Sequence, residues 1–281
     1  MSVLVVGSLH LDVVLRAPHL PRLDETVTGS GVDYVVGGKG GNQAMAASRM
    51  GATVGFAGRI GSDEFGGMIR KALVTSGVDI TQLQIDDGSS GMSAAIVEDS
   101  GEYGAVIVSA ANLRIEPNRI RMPAGTTHVL LQNEVPEVVN IAVARQARKI
   151  GAAVWLNAAP ARALSSELTE MVDLIIVNRI EAAFYASALP PTKVLTTLGS
   201  DGVLFEGNAF PAHKVTIVSA HGAGDMFVGA LAAQAAGGTS MPEAIAFAQA
   251  AAALQVGTTV AARDALTQNA VHRFTSHQSS L

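Results

Sequence analysis

The stretch HVLLQNEVPEVVNIAVARQARKIGAAVWLNAAPARALSSELTEMVDLIIVN, residues 128–178, decides the fold class. Its apolar runs at 128–131, 153–156 and 174–177 are short and rich in Val, Leu and Ile, as strands buried on both faces are. Residues 138–150 carry apolar side chains at helical spacing and stop at Gly151, and residues 165–171 read as a shorter helix. Strands separated by helices predict an α/β fold with a mostly parallel sheet covered on both faces.

The same alternation extends outward. Residues 3–6 form a strand ending at Gly7, 38–50 a helix stopped by Gly51, 53–57 a strand, and 63–76 an amphipathic helix closed by Gly77. On the other side follow a helix at 181–186, a strand at 193–197 and a β-rich segment running to Val218. Two Ala-rich helices at 225–236 and 242–256 come next, then a polar tail from Ser276 expected to fray. Between residues 80 and 108 the helices vanish. Short strands at 92–97 and 103–107 flank a Ser100-Gly101 turn. With the half-exposed strand expected at 26–36, which carries Gly29, Gly31 and Asp33, they predict a small antiparallel sheet, a natural lid. The expectation is a single domain over 1–281, its lid strands drawn from about 12–36 and 80–108.

Composition narrows the function. The 281 residues are 48% hydrophobic and 15% charged, which suits a packed core. Cysteine is absent, which excludes disulfides, Cys-ligated zinc, iron–sulfur clusters and a Cys nucleophile. Net charge is −5 with no basic run, so no nucleic-acid partner is expected. No uninterrupted apolar stretch reaches the roughly 18–20 residues of a membrane span. Residues 1–6 enter a strand with no basic region ahead, so no signal peptide and a cytoplasmic location are expected.

Four stretches carry chemistry. Gly37-Gly38-Lys39-Gly40-Gly41-Asn42-Gln43 removes Cβ atoms before a helix and offers donors to a polyol or an anion; locally it also reads as a flexible turn. It is not a P-loop, since Gly-x-x-x-x-Gly-Lys-Ser/Thr occurs nowhere. Gly222-Ala223-Gly224-Asp225 opens an Ala-rich helix whose first N–H groups favour a negative charge. Asp225 there is either a base for an attacking hydroxyl or an ordinary N-cap. Asp12, inside the apolar run 5–15, reads as an acceptor of two sugar hydroxyls or as a strand-end turn. Asn178-x-x-Glu181 follows a strand and could hold a hydrated Mg²⁺, although it is also a helix-capping pattern. The seven His residues show no metal-ligand spacing. A nicotinamide oxidoreductase is disfavoured because Gly7-Ser8-Leu9-His10 is no dinucleotide fingerprint.

In order, from about Val3 to Thr259, these segments resemble the ribokinase-like (PfkB) carbohydrate kinase family. Gly38-Lys39-Gly40-Gly41-Asn42, Gly51 and Gly61 look like its N-terminal signature and residues 219–231 like its C-terminal one. Asn178-x-x-Glu181 and Thr197-Leu198-Gly199 stand between them, and residues 157–162 and 26–29 are also similar. The resemblance implies a ribokinase-like three-layer sandwich with a small β-lid over the sugar. It implies ATP-dependent phosphorylation of a hydroxymethyl group, with D-ribose as first acceptor and a ribonucleoside or other sugar or sugar acid as the alternative. A non-catalytic sugar sensor is the reading from another class. Asp225 would be the base, with Gly222, Ala223 and Gly224 as anion hole. His10, Asp12, Gly38, Lys39, Asn42 and Glu134 would hold the sugar. Asn178, Thr197, Gly199, Gly202 and Gln249 would line the nucleotide site, and Glu181 would hold Mg²⁺ through water. A homodimer through the lid is implied as well.

Four departures stand out. His10 replaces an Asn that contacts the sugar in the family's ribose-specific members. Ser219-Ala220 replaces Asp-Thr, and residues 260–264 replace a Gly-Ala-rich loop. Both regions build a monovalent-cation site in those relatives, so at most a weak K⁺ dependence is expected here. Finally, positions 182–196 are too few for the extra helix and strand common there.

Overall fold

Residues Val3–Val6 form β1, and all four are inaccessible to solvent. Val3 and Val5 face one apolar core while Leu4 and Val6 face another, as the two-residue strand period requires. The computed structural model describes residues 2–98, 100, 102–187, 189–190 and 193–278. Besides β1 it contains β2 (His10–Ala17), β3 (Gly31–Gly37), α1 (Lys39–Arg49), β4 (Val54–Gly61), α2 (Glu64–Thr75), β5 (Asp79–Asp86), β6 (Met92–Glu98), β7 (Tyr103–Val108) and β8 (His128–Gln132). There follow α3 (Glu137–Lys149), β9 (Ala153–Asn157), α4 (Ser166–Met171), β10 (Leu174–Asn178), α5 (Arg179–Tyr185), β11 (Val194–Thr197), β12 (Val203–Phe205), β13 (Asn208–Phe210), α6 (Ala223–Ala236), α7 (Met241–Val256) and α8 (Gln268–Gln278).

Nine strands form the central sheet in the order β13-β12-β11-β10-β9-β8-β1-β4-β5. It is parallel from β11 to β5, with antiparallel β12 and β13 at one edge. Residues of α1, α2, α6, α7 and α8 join the core on one face, and residues of α3, α4 and α5 the core on the other. This is the three-layer sandwich. The two Ala-rich helices are apolar nearly all round because α6 packs between α1 and α7.

The second, smaller sheet, β3-β2-β6-β7, is the one expected as a lid. β2 pairs antiparallel with β3 and β6 with β7, while β2 and β6 run parallel.

Several expectations need correction. Residues 26–30 are not strand; β3 begins at Gly31. Asp79–Asp86 belongs to the central sheet, paired in parallel with β4, so the lid draws only on 92–108 from that half of the expected range. A strand of alternating polar and apolar residues after a helix has the same local pattern in either sheet, and only its partner decides. Gly101 of the Ser100-Gly101 turn lies outside the described residues. The chain from 276 to 278 completes α8, whose Val271 and Phe274 reach the core. No extra helix or strand stands between α5 and β11 among the described residues. None of their helices is long and apolar enough to cross a membrane.

Candidate active site

The glycine-rich stretch serves the chain itself before any ligand. Gly38 caps α1 at φ 84°, and a Cβ there would stand 2.9 Å from His10 N, Leu9 Cα and Ser8 O. A Cβ on Gly40 would come within 2.7 Å of the Gly7–Ser8 backbone. Only glycine lets α1 start this close to the β1–β2 turn. Glu134 reaches into the same corner. Its Oε2 accepts from Ser8 Oγ at 2.5 Å and from Lys39 N at 2.9 Å, a carboxylate at a helix N-terminus.

Seated there, α1 presents Asn42 and Gln43 to Asp225. Gly222, in the left-handed conformation at φ 71°, is the N-cap of α6, and Asp225 lies inside the first turn. The N-cap reading of Asp225 is therefore excluded. Asn42 Nδ2 donates to one carboxylate oxygen and Gln43 Nε2 to the other, both at 3.0 Å. Gln43 Nε2 also donates to Asn157 Oδ1, and Gln132 Nε2 donates to Gln43 Oε1, each at 3.0 Å. Burial pushes the Asp225 carboxyl above its ordinary range, opposed by the Lys39 charge and the Asn42 and Gln43 bonds. A carboxylate made more basic yet held in one orientation is what proton abstraction near neutral pH requires.

The helix start beside it has N–H groups without intrahelical partners. Of the three expected anion-hole residues, Ala223 closes a turn by donating to Ala220 O at 3.3 Å. Gly224 faces open space: a Cβ there would meet nothing within 4 Å. A cavity of about 170 Å³ lies in front of this turn and gathers Lys39, Asn157, Asn178, Glu181, Thr197 and Gly222 to Asp225 on its walls. Asn178 and Glu181 form a capping box on α5. Asn178 Oδ1 accepts from Ile180 N and Glu181 N, and Glu181 Oε2 accepts from Asn178 N at 2.8 Å. The cap reading and the cavity position hold together, because the helix begins where the parallel sheet ends.

The remaining candidates divide. Asp12 stands in mid-strand on β2, not at its end, and its Oδ1 accepts from Ser93 Oγ at 2.5 Å. His10 is buried, and its Nε2 has no hydrogen-bond partner among the described residues. Burial lowers its pKa against the pull of Glu134 and Asp12, which keeps the ring neutral near pH 7. Gly199 opens a 3-10 turn after β11 with free space around it. Gly202 is fixed by the β11–β12 hairpin, where a Cβ would stand 1.9 Å from Phe210 O. Gln249, expected at the nucleotide, donates from α7 to Phe210 O at 2.8 Å and is not on the wall of this cavity. Gln43, Gln132 and Asn157 were not singled out from sequence as site residues. Their one signal is polarity in otherwise apolar or small-residue surroundings, which asks for a buried partner.

A family model described as "pfkB family carbohydrate kinase" matches residues 1–268. A ribokinase of Bacillus subtilis is 33% identical over 271 residues, covering 91% of this chain and 92% of the relative. The crystal structure of a ribokinase from Thermotoga maritima superposes with a TM-score of 0.87 at 25% identity, covering 98% of this chain and 99% of that one. A ribokinase of Arabidopsis thaliana, solved in complex with ribose and ATP, gives a TM-score of 0.86 at 26% identity, covering 97% and 98%. Fold, motif order and a buried, amide-held Asp225 thus agree with near full-length similarity: the chain belongs to the pfkB family of carbohydrate kinases.

Proposed function

We propose that this enzyme transfers the γ-phosphoryl group of ATP to a hydroxymethyl group of D-ribose. The observation that carries the reading is the Asp225 carboxylate, buried at the start of α6 and oriented by Asn42 and Gln43. The acceptor hydroxyl gives its proton to Asp225 while its oxygen bonds to the γ-phosphorus. The bond from that phosphorus to the bridging oxygen breaks, and ADP leaves. Negative charge on the transferred group meets the N–H groups of Gly224 and Asp225 and the Lys39 ammonium. Asp12 and the unpaired Nε2 of His10 would bind acceptor hydroxyls, with Gly38, Asn42 and Glu134 around them. Asn178, Thr197 and Gly199 would line the nucleotide phosphates.

The described residues hold no group of three or more His, Cys, Asp or Glu side chains able to cage a metal. One carboxylate and one amide at the cavity wall suit a Mg²⁺ that keeps most of its waters and leans on phosphate, with Glu181 and Asn178 as its holders. That ion would supply charge neutralisation on the phosphate oxygens. The uncovered apolar face of the lid, where register places Tyr34, Val106 and Val108 together and exposed, supports a homodimer through the lid.

A ribonucleoside is the competing acceptor. A second cavity of about 690 Å³ opens beside Asn42 and Asp225, and Tyr34, Val36, Met45 and Met68 give it an apolar wall. An ADP-release assay over pentoses, hexoses, sugar acids and ribonucleosides decides. Selective turnover of ribose is expected. Preference for a nucleoside would replace the acceptor, and binding without turnover on any compound would favour the sugar sensor.

A further inference from the structure

Buried cations are normally answered by carboxylates. Arg263 is not. It lies in the 3-10 segment Val260–Ala265 and is only 8% exposed. Its neighbour Asp264 is paired elsewhere, with Arg49 at 2.5 Å. No carboxylate among the described residues forms an ion pair with Arg263, and its Nε has no partner there. Among the described residues its guanidinium donates from Nη2 to Ser219 O at 3.1 Å. Burial without a counter-charge lowers the guanidinium's pKa, a cost that a purely structural contact does not need.

Ser219 stands three residues before Gly222, in the segment that delivers the chain into α6. That segment is held from several sides. Val218 N and Ser219 N both donate to Val256 O at the end of α7, at 2.9 and 3.0 Å. Gln255 Nε2 reaches His221 O at 3.4 Å. Arg263 adds a charged hold on Ser219 O. It also shares the wall of the larger cavity with Gly222 and Asp225.

We propose that Arg263 is a positioning residue for phosphoryl transfer: a built-in cation that fixes residues 219–222 and so aims the first N–H groups of α6 at the transferred group. An added monovalent cation is then redundant at this place. The inference rests on the phosphoryl-transfer reading of Asp225 and its turn.

The test compares Arg263→Ala, Arg263→Lys and Arg263→Gln for kcat, KM and melting temperature, with and without guanidinium chloride or KCl. Arg263→Ala is expected to lose about 10- to 100-fold in kcat, with KM for the sugar changed by less than about threefold. Low millimolar guanidinium should return part of that loss, which no purely structural role predicts. Arg263→Lys keeps the charge without the planar fork and should retain more activity than Arg263→Gln. KCl should change the unsubstituted enzyme by less than about twofold and stimulate Arg263→Ala more. Full activity in Arg263→Ala would overturn the proposal, as would a loss that follows the melting temperature and resists guanidinium. Should Arg263→Ala not fold, equal kcat in the Lys and Gln variants would overturn it. No turnover by the unsubstituted protein would sink the phosphoryl-transfer reading and this inference together. Activity lost only in Asp225→Asn would sink the inference alone.

Discussion

The two sheets are built from similar residues and end in opposite environments. β1 is all Val and Leu and shows no exposed surface, because helices cover both faces and parallel strands flank both edges. In β7, Val106 and Ile107 are 66% and 62% exposed, and Tyr34 of β3 is 53% exposed. β-branched runs make strands in both places, and coverage decides what each strand can do. The central sheet anchors α1, α5 and α6, so Asp225, Asn42 and Glu181 stand on rigid elements. The small sheet has one layer, carries His10 and Asp12 on β2, and leaves an apolar face uncovered at Tyr34, Val106 and Val108. Under the function proposed above, chemistry would belong to the first sheet, and acceptor capture and assembly to the second.

Substitutions on the two sheets should therefore fail in different ways. The largest effect is expected from Asp225→Asn, with turnover reduced by about 10²–10⁴-fold and sugar and ATP still bound. Stability should not fall with it. The folded-state pKa of Asp225 is raised, so its buried charge costs stability as pH rises from the unfolded carboxylate range through the folded pKa. Thermal melts at acid and neutral pH should show the variant gaining on the parent as pH increases. A lower melting temperature at neutral pH would mean that Asp225 holds the body together.

Asp12→Ala removes the lid carboxylate beside Ser93, and KM for the acceptor should rise about 10- to 100-fold with a smaller change in kcat. Equal losses in both would move Asp12 from capture to catalysis. Gln43→Leu has a subtler signature. Gln43 donates one of the bonds that lower the Asp225 pKa, so the rising limb of the pH–rate profile should shift to higher pH. An unmoved limb would show that another group sets it. The smallest change in fold stability, within about 0.5 kcal/mol, is expected for Val106→Lys, since the side chain is exposed. Analytical ultracentrifugation should nonetheless show dissociation to monomer if the lid pairs two subunits.

Much of the fold could be read from local pattern, because parallel strands buried on both faces and the helices between them announce themselves within a few residues. Legibility ended where partners mattered. Asp79–Asp86 looked like lid and joined the central sheet. The bonds from Ser8 and Lys39 to one oxygen of Glu134 have no signal in the sequence either. Nor does the bond by which Gln249 ties α7 to Phe210.

The site follows the same rule. Sequence alone determined that an aspartate follows a small-residue helix start, and that a glycine-rich helix start and Asn178-x-x-Glu181 precede it in order. Those are local facts, set by backbone sterics and by the dipole of a helix end. Only the tertiary structure decided that Asn42 meets Asp225 across 183 positions, that Gln43 links it to Asn157 and Gln132, and that Arg263 holds Ser219. Contacts between distant segments leave no periodicity in the chain; they exist because burial forces each polar group to find a partner, and the packing of α1 against α6 determines which.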